Sequence, residues 1–567
     1  MTDPVDTLVR GTLVNVHTGT LEEGAVAIDD GTIVALDERP ADREIAVEYV
    51  APGLIDAHMH VESSMVTLPR YGAAVVPRGV TSVIHDPHEI ANVCGAAGVR
   101  AVIEDAAHTP LKARFTVPSS VPASDLQDAG ATLGPDAVAA LLDAPDVVAL
   151  GEVMNVPGVV AGDSTVHAKI DAAREEGLPV DGHMPRVRGA DLHEAARYLD
   201  SDHESITLDE ARAKADVGLR VYLREGSSSR NLADLLGLVE AVDTRFLSLC
   251  TDDRDVTDLV ERGGVDFAVA KAIDGGVDPV TAVQLATINT AASYGLPFGR
   301  LRPGSPADLA LLSDLDSWTV EHVLIDGVLD PTAEREAPPD STVPTDTVSF
   351  DPVAGADLAI EPGDGDEVTD GDGSVAVRVI DSVGGLQTAR LETEVPRDGG
   401  TLRPDTDGDV LSLAVIERHG AGGVGRGFVH GLGLDRGAVG STVAHDAHNL
   451  VVAGASHDAM ATVANHLREI GGGVAAYDPE DGASDAGRDG MTALSLPVAG
   501  LMSDDPLEVV AGEFGAVEDA ARAIGLDHEG GIMELSFLSL EVIPELRLTN
   551  NGLVDVESME YVDTVVG

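Results

Sequence analysis

The chain contains few residues of several types, and each shortage excludes a class of protein. Cys94 and Cys250 are the only cysteines, too few for a disulfide framework or a zinc–thiolate site, which fits a reducing compartment. There is no run of about 18 apolar residues that could cross a bilayer as a helix. The N-terminus also lacks a basic segment followed by an apolar one. We therefore expect a soluble, cytoplasmic protein.

Basic residues are scarce as well. Lys and Arg total 36 against 98 Asp and Glu, which gives a formal net charge of -62. Nucleic acids and anionic membranes both require positive potential, so we expect neither as a partner. The excess of Asp and the near absence of Lys resemble the composition of proteins from salt-rich cytoplasm, where counterions screen the self-repulsion. We expect a salt-adapted source and salt-dependent folding.

The length and the pattern of apolar runs predict an α/β protein with three domains. A chain of 567 residues exceeds the size at which a single core stops growing. Residues 1–50 and 301–345 carry short apolar runs between Gly and Asp turns, and we expect them to pair as one small composite β domain. Residues 51–300 alternate strand and helix patterns over the length of a (β/α)8 barrel. Residues 346–567 predict a C-terminal α/β domain.

Two stretches predict irregular structure, and two others predict helices. A segment rich in Pro, Gly and Asp follows residue 328 and extends to 373, as expected of a linker. Residues 477–491, rich in Asp and Gly, predict an exposed loop. Amphipathic patterns at 164–177 and 458–470 predict helices.

Eight strand candidates within residues 51–300 end, for the most part, in polar residues. They are 53–60, 81–86, 113–119, 147–152, 178–183, 198–204, 219–225 and 246–252. The sixth is short of apolar residues and is the weakest of the set. The carboxyl ends of barrel strands form the face on which barrel enzymes place their active sites, so we expect the polar ends to gather there.

His58 and His60 end the first of these strands. Strand side chains alternate between faces, so the two imidazoles point the same way and can bind one ion. Two unrelated histidines beside a core strand would show the same spacing, and the metal interpretation therefore depends on the other strand ends. Those ends supply further donors of the same kind, namely Glu152, His183, His203 and Asp252.

Four histidines and two carboxylates exceed what one tetrahedral ion needs, so we predict two divalent metal ions. None of the four lysines ends a strand, which leaves Glu152 as the bridging ligand. Nitrogen and oxygen donors without thiolate suit manganese, iron or zinc. Asp252 is placed to hydrogen-bond a metal-bound water and move its proton, so it is a predicted catalytic residue. Such a site is hydrolytic.

The residues at these strand ends resemble successive motifs of the adenine deaminase family of the amidohydrolase superfamily. The likeness begins with PGLIDAHMHVESSM at 52–65 and TSVIHDPHEIAN at 81–92. It continues through GEVMN at 151–155, DGH at 181–183, DHE at 202–204, LREGSS at 223–228 and CTDD at 250–253, and in the distal part through 445–449 and 454–465.

This resemblance implies a reaction and a cofactor. The implied reaction is the hydrolysis of adenine to hypoxanthine and ammonia, with manganese first among the expected metals. The implied ligands are the same six residues that the strand ends supply. The resemblance also implies that Asp252 or Glu152 passes a proton toward the departing amino group. Adenine is thus the expected small-molecule partner, and we expect a homo-oligomer.

Five further residues are predicted to bind the substrate. Asp86, His88 and Glu89 follow the second strand and could hydrogen-bond the purine or orient a ligand; alternatively, Asp86 turns the chain and His88 begins a helix. Glu225 and Ser228 follow the seventh strand and could hold the ring nitrogens, although ordinary loop chemistry accounts for them equally well.

Two histidines of the distal domain stand apart from this set. His445 and His448 could bind another metal, but no third donor is obvious near them in the sequence, so a buried or capping role is favoured. Closure of this domain over the substrate is a second possibility.

Two other functions remain open at this point. The protein could be another amidohydrolase acting on a cyclic amidine or cyclic amide, because a barrel and its metals do not name the substrate. It could also be an inactive binding protein on the same barrel, although a complete ligand set argues against that alternative.

Overall fold

The structure is a computed structural model that describes residues 4–332, 339–361, 373–384, 387–398, 400–481, 490–528 and 530–566. Parts of the predicted linker and of the predicted loop at 477–491 fall outside these ranges. No helix within them combines the length and the apolar character needed to cross a membrane.

The described chain divides into two compact units, and each is discontinuous in sequence. The first comprises Met1–His88, Arg100–Ser120 and Leu133–Thr342. The second comprises Glu89–Val99, Val121–Thr132 and Val343–Gly567. Helix His88–Asp105 contributes to both units, and its backbone leaves helical geometry at Gly95, where φ is 61°.

A seven-stranded sheet in the first unit joins strands from widely separated parts of the described chain. In spatial order the strands are Val328–Leu329, Thr319–Ile325, Leu309–Asp314, Ala41–Pro52, Val5–Asn15, Thr20–Asp29 and Thr32–Ala35. Neighbours are antiparallel except Val5–Asn15 and Ala41–Pro52, which run parallel. Buried aliphatic side chains such as Val9, Ile33 and Leu309 form the core of this sheet.

All eight strand candidates form strands, and within each of two sheets the neighbouring strands pair in parallel. A six-stranded sheet has the order Asp252–Asp253, Leu54–His60, Val80–His85, Lys112–Val117, Val147–Val153 and Val180–Gly182. A three-stranded sheet follows with Ser201–Asp202, Arg220–Arg224 and Leu247–Cys250. The weak sixth candidate is only two residues long, in line with its shortage of apolar residues. The strands of these two sheets form a curled, parallel half-barrel.

Helices follow the strands of the first unit. They are Leu68–Val75, Pro135–Leu142, Val156–Ala161, Ser164–Glu175, Gly189–Ala195, Leu208–Asp216, Leu232–Leu235, Leu238–Ala241, Val256–Glu261, Val265–Asp274, Pro279–Leu285 and Ile288–Ser293. The helix predicted at 164–177 is confirmed, and Asp163 caps it by accepting hydrogen bonds from the backbone N–H groups of Thr165 and Val166. Leu54–His60 and Val80–His85 are buried at every residue, as expected of parallel strands covered on both faces.

The second unit is built on a mixed sheet. Within the ranges described, its nine strands have the order Thr401–Leu402, Thr388–Asp398, Ser374–Ser382, Val424–His430, Val410–Ile416, Leu450–Gly454, Ala438–Ser441, Gly473–Tyr477 and Met491–Ser495. Leu546–Thr549, Gly552–Asp555 and Glu560–Val562 form a smaller sheet. Helix His457–Glu469, predicted at 458–470, packs against the large sheet through Met460, Val463 and Leu467, and a second helix spans Leu507–Ala523.

Candidate metal centre

His58 and His60 stand at the end of a wholly buried strand, and their Nε2 atoms are 3.2 Å apart. Asp252 joins them, with its Oδ1 at 3.4 Å from His58 Nε2 and 3.0 Å from His60 Nε2. Asp252 reaches this position because the short strand that carries it pairs in parallel with Met59 and His60. The short strand Asp252–Asp253 therefore delivers a carboxylate to the first histidine pair.

Glu152 lies between two pairs of histidines. Its Oε1 is 3.5 Å from His60 Nε2, whereas its Oε2 is 2.7 Å from His183 Nδ1 and 3.1 Å from His203 Nε2. The rings of His58 and His203 are stacked, with centroids 4.0 Å apart. One buried carboxylate thus faces both pairs, an arrangement that suits two ions sharing a bridging ligand.

Asp86 supports two of these side chains through its carboxylate and its backbone. Its Oδ2 accepts a hydrogen bond from the backbone N–H of Glu152 at 2.9 Å, and a Cβ at Gly151 would meet that oxygen at 2.3 Å. Its carbonyl oxygen lies 2.9 Å from Nδ1 of His60 and accepts the ring proton. The hydrogen bond leaves the Nε2 lone pair of His60 facing the carboxylates, which is the tautomer that a metal ligand requires.

His88, another predicted substrate residue, also lies beside the candidate ligands. Its Nδ1 is 3.2 Å from Glu152 Oε1 and 3.7 Å from Asp86 Oδ1. Its ring is edge-on to that of His60, with centroids 4.5 Å apart. Asp86 and His88 therefore surround the first histidine pair, and contact with substrate stays a prediction for both.

All six predicted ligands belong to overlapping groups of donor atoms that lie within 4.8 Å of one another. The groups are His58, His60 and Glu152; His58, His203 and Asp252; and Glu152, His183 and His203. Most of these side chains are fully buried, and His183 is partly exposed. Imidazole nitrogens and carboxylate oxygens are donors that suit divalent first-row metals, so the residues present fit a pair of such ions.

Both central carboxylates are held in the ionised form. Burial raises the pKa of Glu152, but His183 and His203 outweigh burial and keep that pKa well below its ordinary value. Burial likewise opposes ionisation of Asp252, yet Arg224 is the largest of the charges that hold its pKa well below the ordinary value. Each carboxylate is therefore available as an anionic ligand for a cation near neutral pH.

Two residues without a predicted role complete the site. The buried guanidinium of Arg224 bonds to Glu204 and, at 2.5 Å, to Oδ2 of Asp252. Glu204 directly follows His203, and its Oε1 lies 3.8 Å from Nδ1 of His183. The sequence offered one signal for these two residues, namely their position near the ends of strand candidates whose neighbouring candidates end in predicted ligands.

The remaining predicted substrate residues of the first unit have other surroundings. Glu225 is buried and forms an ion pair with Lys271 at 2.5 Å. Ser228 is exposed in the loop that follows strand Arg220–Arg224. Neighbouring Ser227 donates a hydrogen bond to Oδ2 of Asp258 at 2.8 Å. For Glu225 and Ser228, substrate contact stays a prediction.

The expectation that His445 and His448 lack a third donor is wrong. In the second unit, Glu89 Oε1 lies 2.5 Å from Nδ1 of His445, and Glu89 Oε2 contacts Nε2 of His448. Sequence spacing could not indicate this contact, because Glu89 precedes the histidines by more than half of the chain. Glu89, predicted to bind substrate, thus has two histidine partners.

Glu89, His445 and His448 form a second group of possible metal ligands, here called the Glu89 cluster. The hydrogen bonds of His448 bear on whether this cluster can bind a metal. Nδ1 of His448 accepts a hydrogen bond from the backbone N–H of Ala444 at 3.1 Å. A neutral imidazole with an accepting Nδ1 carries its proton on Nε2. Nε2 then donates to Glu89, and it has no lone pair for an ion. The Glu89 cluster therefore fits a hydrogen-bonded group better than a metal site.

Comparisons with known proteins agree over nearly the whole chain. The sequence model of the amidohydrolase family matches residues 49–329, and that of the adenine deaminase C-terminal domain matches residues 385–560. An adenine deaminase of Desulfatibacillum aliphaticivorans is 40% identical over 569 residues, covering 99% of this chain and 97% of the relative. An adenine deaminase of Methanothermobacter thermautotrophicus is also 40% identical, with 98% and 99% covered.

Similarity to solved structures is more distant. The crystal structure of an enamidase is 18% identical and covers 59% of this chain and 97% of its own, with a TM-score of 0.43. An N-acetyl-D-glucosamine-6-phosphate deacetylase from Mycobacterium smegmatis is 17% identical and covers 57% and 99%, with a TM-score of 0.43.

Proposed function

This chain belongs to the adenine deaminase family, and from that premise we propose that it hydrolyses adenine to hypoxanthine and ammonia. The relatives that carry the name adenine deaminase match this chain over almost its entire length. The observation that carries the proposal is the position of Glu152 between two histidine pairs, with Asp252 opposite. This is the donor arrangement of a hydrolytic site rather than of a binding surface.

The proposed centre holds two divalent ions, with manganese as the first expectation and iron or zinc as alternatives. The residues that would hold them are His58, His60, Glu152, His183, His203 and Asp252. When bound, such ions supply Lewis acidity and make water acidic enough to attack near neutral pH. The proposed domains are a composite β domain at 1–50 plus 301–345, a (β/α)8 barrel at 51–300 that carries this centre, and a C-terminal α/β domain at 346–567.

The proposed roles of the protein groups follow from their positions. Asp252 takes the proton of the attacking water; its Oδ1 faces the histidines, and Arg224 holds its Oδ2. The water oxygen bonds to C6 of adenine, and the bond from C6 to the amino nitrogen breaks. Asp252 or Glu152 delivers the proton to that nitrogen, which leaves as ammonia. Asp86 and His88 would orient the purine beside the first histidine pair.

The biological setting proposed here follows from composition as well as family. The chain acts on a free base in the cytoplasm as a homo-oligomer. Its net charge of -62 argues against a nucleic acid or an anionic membrane as a partner. The ions of a salt-rich cytoplasm would screen that charge.

The test is a direct assay of manganese-loaded protein in molar salt. Adenine should lose its ultraviolet band as ammonia appears, and guanine and cytosine should release none. Ammonia from another cyclic amidine but not from adenine would redirect the proposal to a different substrate. A folded, metal-loaded protein that leaves every such ring intact would refute hydrolysis and favour a binding protein.

A further inference from the structure

The guanidinium of Arg224 contacts two carboxylates and one side-chain amide. Its side chain is 2% exposed, and its two terminal nitrogens contact both carboxylate oxygens of Glu204, one of them at 3.2 Å. Nη1 also donates to Oδ2 of Asp252 at 2.5 Å. Nη2 donates to the side-chain oxygen of Asn231 at 3.2 Å, which fixes the plane of the guanidinium. Arg224 therefore holds together two carboxylates, those of Glu204 and Asp252.

Glu204 lies near one histidine pair, somewhat farther from it than Asp252 lies from the other pair. Its Oε1 is 3.8 Å from Nδ1 of His183 and 3.9 Å from Nε2 of His203. Oδ1 of Asp252 is 3.4 Å from Nε2 of His58 and 3.0 Å from Nε2 of His60. The distances therefore favour Asp252 as a ligand, but they leave Glu204 beside its own histidine pair. The difference between them is that both oxygens of Glu204 are taken by Arg224, whereas Asp252 keeps one.

We propose that Arg224 is a positioning residue that decides which carboxylate oxygens can reach the metal positions. It withholds Glu204 entirely and Oδ2 of Asp252, so that Oδ1 of Asp252 and the carboxylate of Glu152 are the oxygens left to the ions. This inference rests on the proposed function, because it concerns the same two-ion centre.

The consequence is an open coordination position. A catalytic metal keeps one position for water or substrate, and an additional carboxylate would fill it. Arginine suits this task because its planar fork can bind one carboxylate through two nitrogens and still donate to a second. The ammonium of a lysine offers a single point charge and would leave one of the two carboxylates loosely held.

The experiment uses cobalt as the probe and needs no substrate. Apo protein of the wild type, Arg224→Gln, Glu204→Gln and the double variant is titrated with Co2+, and the visible spectrum and the affinity are recorded. Arg230→Gln is the matched control, because Arg230 follows the same strand but its guanidinium pairs with Asp258. The control should retain the wild-type spectrum.

In Arg224→Gln the freed Glu204 should enter the coordination sphere. The visible bands of cobalt should weaken as its coordination number rises. Cobalt affinity should stay within about threefold of wild type, although loss of an ordinary supporting residue costs about 10–100-fold. With manganese loaded instead, kcat for adenine should fall about 100-fold or more while KM changes less, because the centre is filled rather than lost.

The two variants that change Glu204 test whether Glu204 is the group that enters the coordination sphere in Arg224→Gln. Glu204→Gln should keep the wild-type cobalt spectrum, and the double variant should regain it. An unchanged spectrum in Arg224→Gln, an affinity loss of about 10–100-fold there, or a changed spectrum in Glu204→Gln would each overturn the inference. If Arg224→Gln does not fold, Glu204→Gln alone gives the answer in the same way. A wild type that binds cobalt but leaves adenine intact would refute the proposed function without touching this result.

Discussion

The carboxylate of Asp202 accepts a hydrogen bond from the backbone N–H of Met184 at 2.9 Å. Asp202 precedes His203 and Met184 follows His183, so this bond joins the two strand ends that carry one histidine pair. The ammonium of Lys214, fully buried, donates to the other oxygen of Asp202 at 2.8 Å. The distance between two candidate ligands therefore depends on a lysine outside the site.

Replacing Lys214 by Met should weaken both folding and metal binding. Asp202 and Glu210 would lose their buried counter-ion, and an unpaired buried charge typically costs about 3–5 kcal/mol of unfolding free energy. Metal affinity should fall about 10–100-fold as the histidine pair loses its support. Lys169→Met is the control, since its ammonium donates to the carbonyl oxygen of Ser119, and it should cost about 1–2 kcal/mol. Urea unfolding and metal titration measure both effects, and equal losses in the two variants would contradict the assignment.

Replacing Asp252 by Asn should abolish most turnover. Asn removes the proton acceptor that faces His58 and His60, and general base catalysis contributes about 10²–10⁴-fold to such reactions. Asp253→Asn changes the same group one residue along, where Asp253 accepts a hydrogen bond from Ser63 at 2.5 Å, and should cost much less. Steady-state deamination with metal analysis of each protein is the measurement. An Asp252→Asn enzyme with its metal and full kcat would exclude the role.

Replacing His448 by Asn should leave the metal content at two ions per chain. Its tautomer places a proton, not a lone pair, toward Glu89. Elemental analysis of wild type and variant after saturation and desalting measures the content. His203→Asn, which removes a predicted ligand, should lower it. A wild type with three ions and a His448→Asn variant with two would show that the Glu89 cluster binds metal.

Glu541 should make the protein less stable as pH rises. Burial raises its pKa to about 7 from an ordinary 4.5, with a hydrogen bond from Ser124 acting in the opposite direction. The folded state therefore holds a proton that the unfolded state releases between these two values, so stability is greatest below pH 4.5 and falls up to about pH 7.

The shift corresponds to about 3 kcal/mol at pH 8. Glu541→Gln removes the penalty and should be more stable than wild type at pH 8 but not at pH 4.5. Glu513→Gln, on the exposed face of helix Leu507–Ala523, makes the same charge change and should show no such dependence. Chemical unfolding at both pH values decides the point, and parallel behaviour of the two variants would contradict it.

Salt should stabilise the whole chain. A net charge of -62 destabilises the compact state by self-repulsion, and raising the salt from 0.1 M to 1 M shortens the screening length from about 10 Å to about 3 Å. The midpoint of thermal unfolding should rise markedly between these two potassium chloride concentrations. Sucrose at equal osmolality is the control and should not reproduce the effect in full. Equal unfolding midpoints at the two potassium chloride concentrations would exclude salt adaptation.

The strand pattern made the scaffold predictable because parallel strands are buried on both faces and read as apolar runs. Val80–His85 and Leu247–Cys250 are of this kind; the second lies within its predicted range, and the first begins one residue before its own. Ser201–Asp202 was the weakest candidate, and it is a two-residue strand, too short to leave a strong pattern. His58 and Asp252 could be brought together in advance, since both end strands of one sheet.

Contacts that depend on side-chain direction or distant packing left no such signal. Arg224 ends a strand and Glu204 lies two residues beyond one, but their pairing depends on rotamers that periodicity does not report. The contact of Glu89 with His448 depends on tertiary packing of segments far apart in the chain. Lys214 looked like an ordinary helical lysine, and its burial beside Asp202 follows from how helix and strand end pack.

The central strand of the seven-stranded sheet has a consequence for synthesis of the chain. Ala41–Pro52 pairs on one side with Val5–Asn15, but its other partner, Leu309–Asp314, leaves the ribosome only after the intervening chain. At about 5–20 residues per second, that edge stays open for ten seconds or more. Leu309–Asp314 pairs with residues 49–52, and the same strand carries the exposed charges Asp42, Arg43 and Glu44 nearer its start. Charges of this kind discourage pairing with other nascent chains, so they protect the strand while its later partner is still being made.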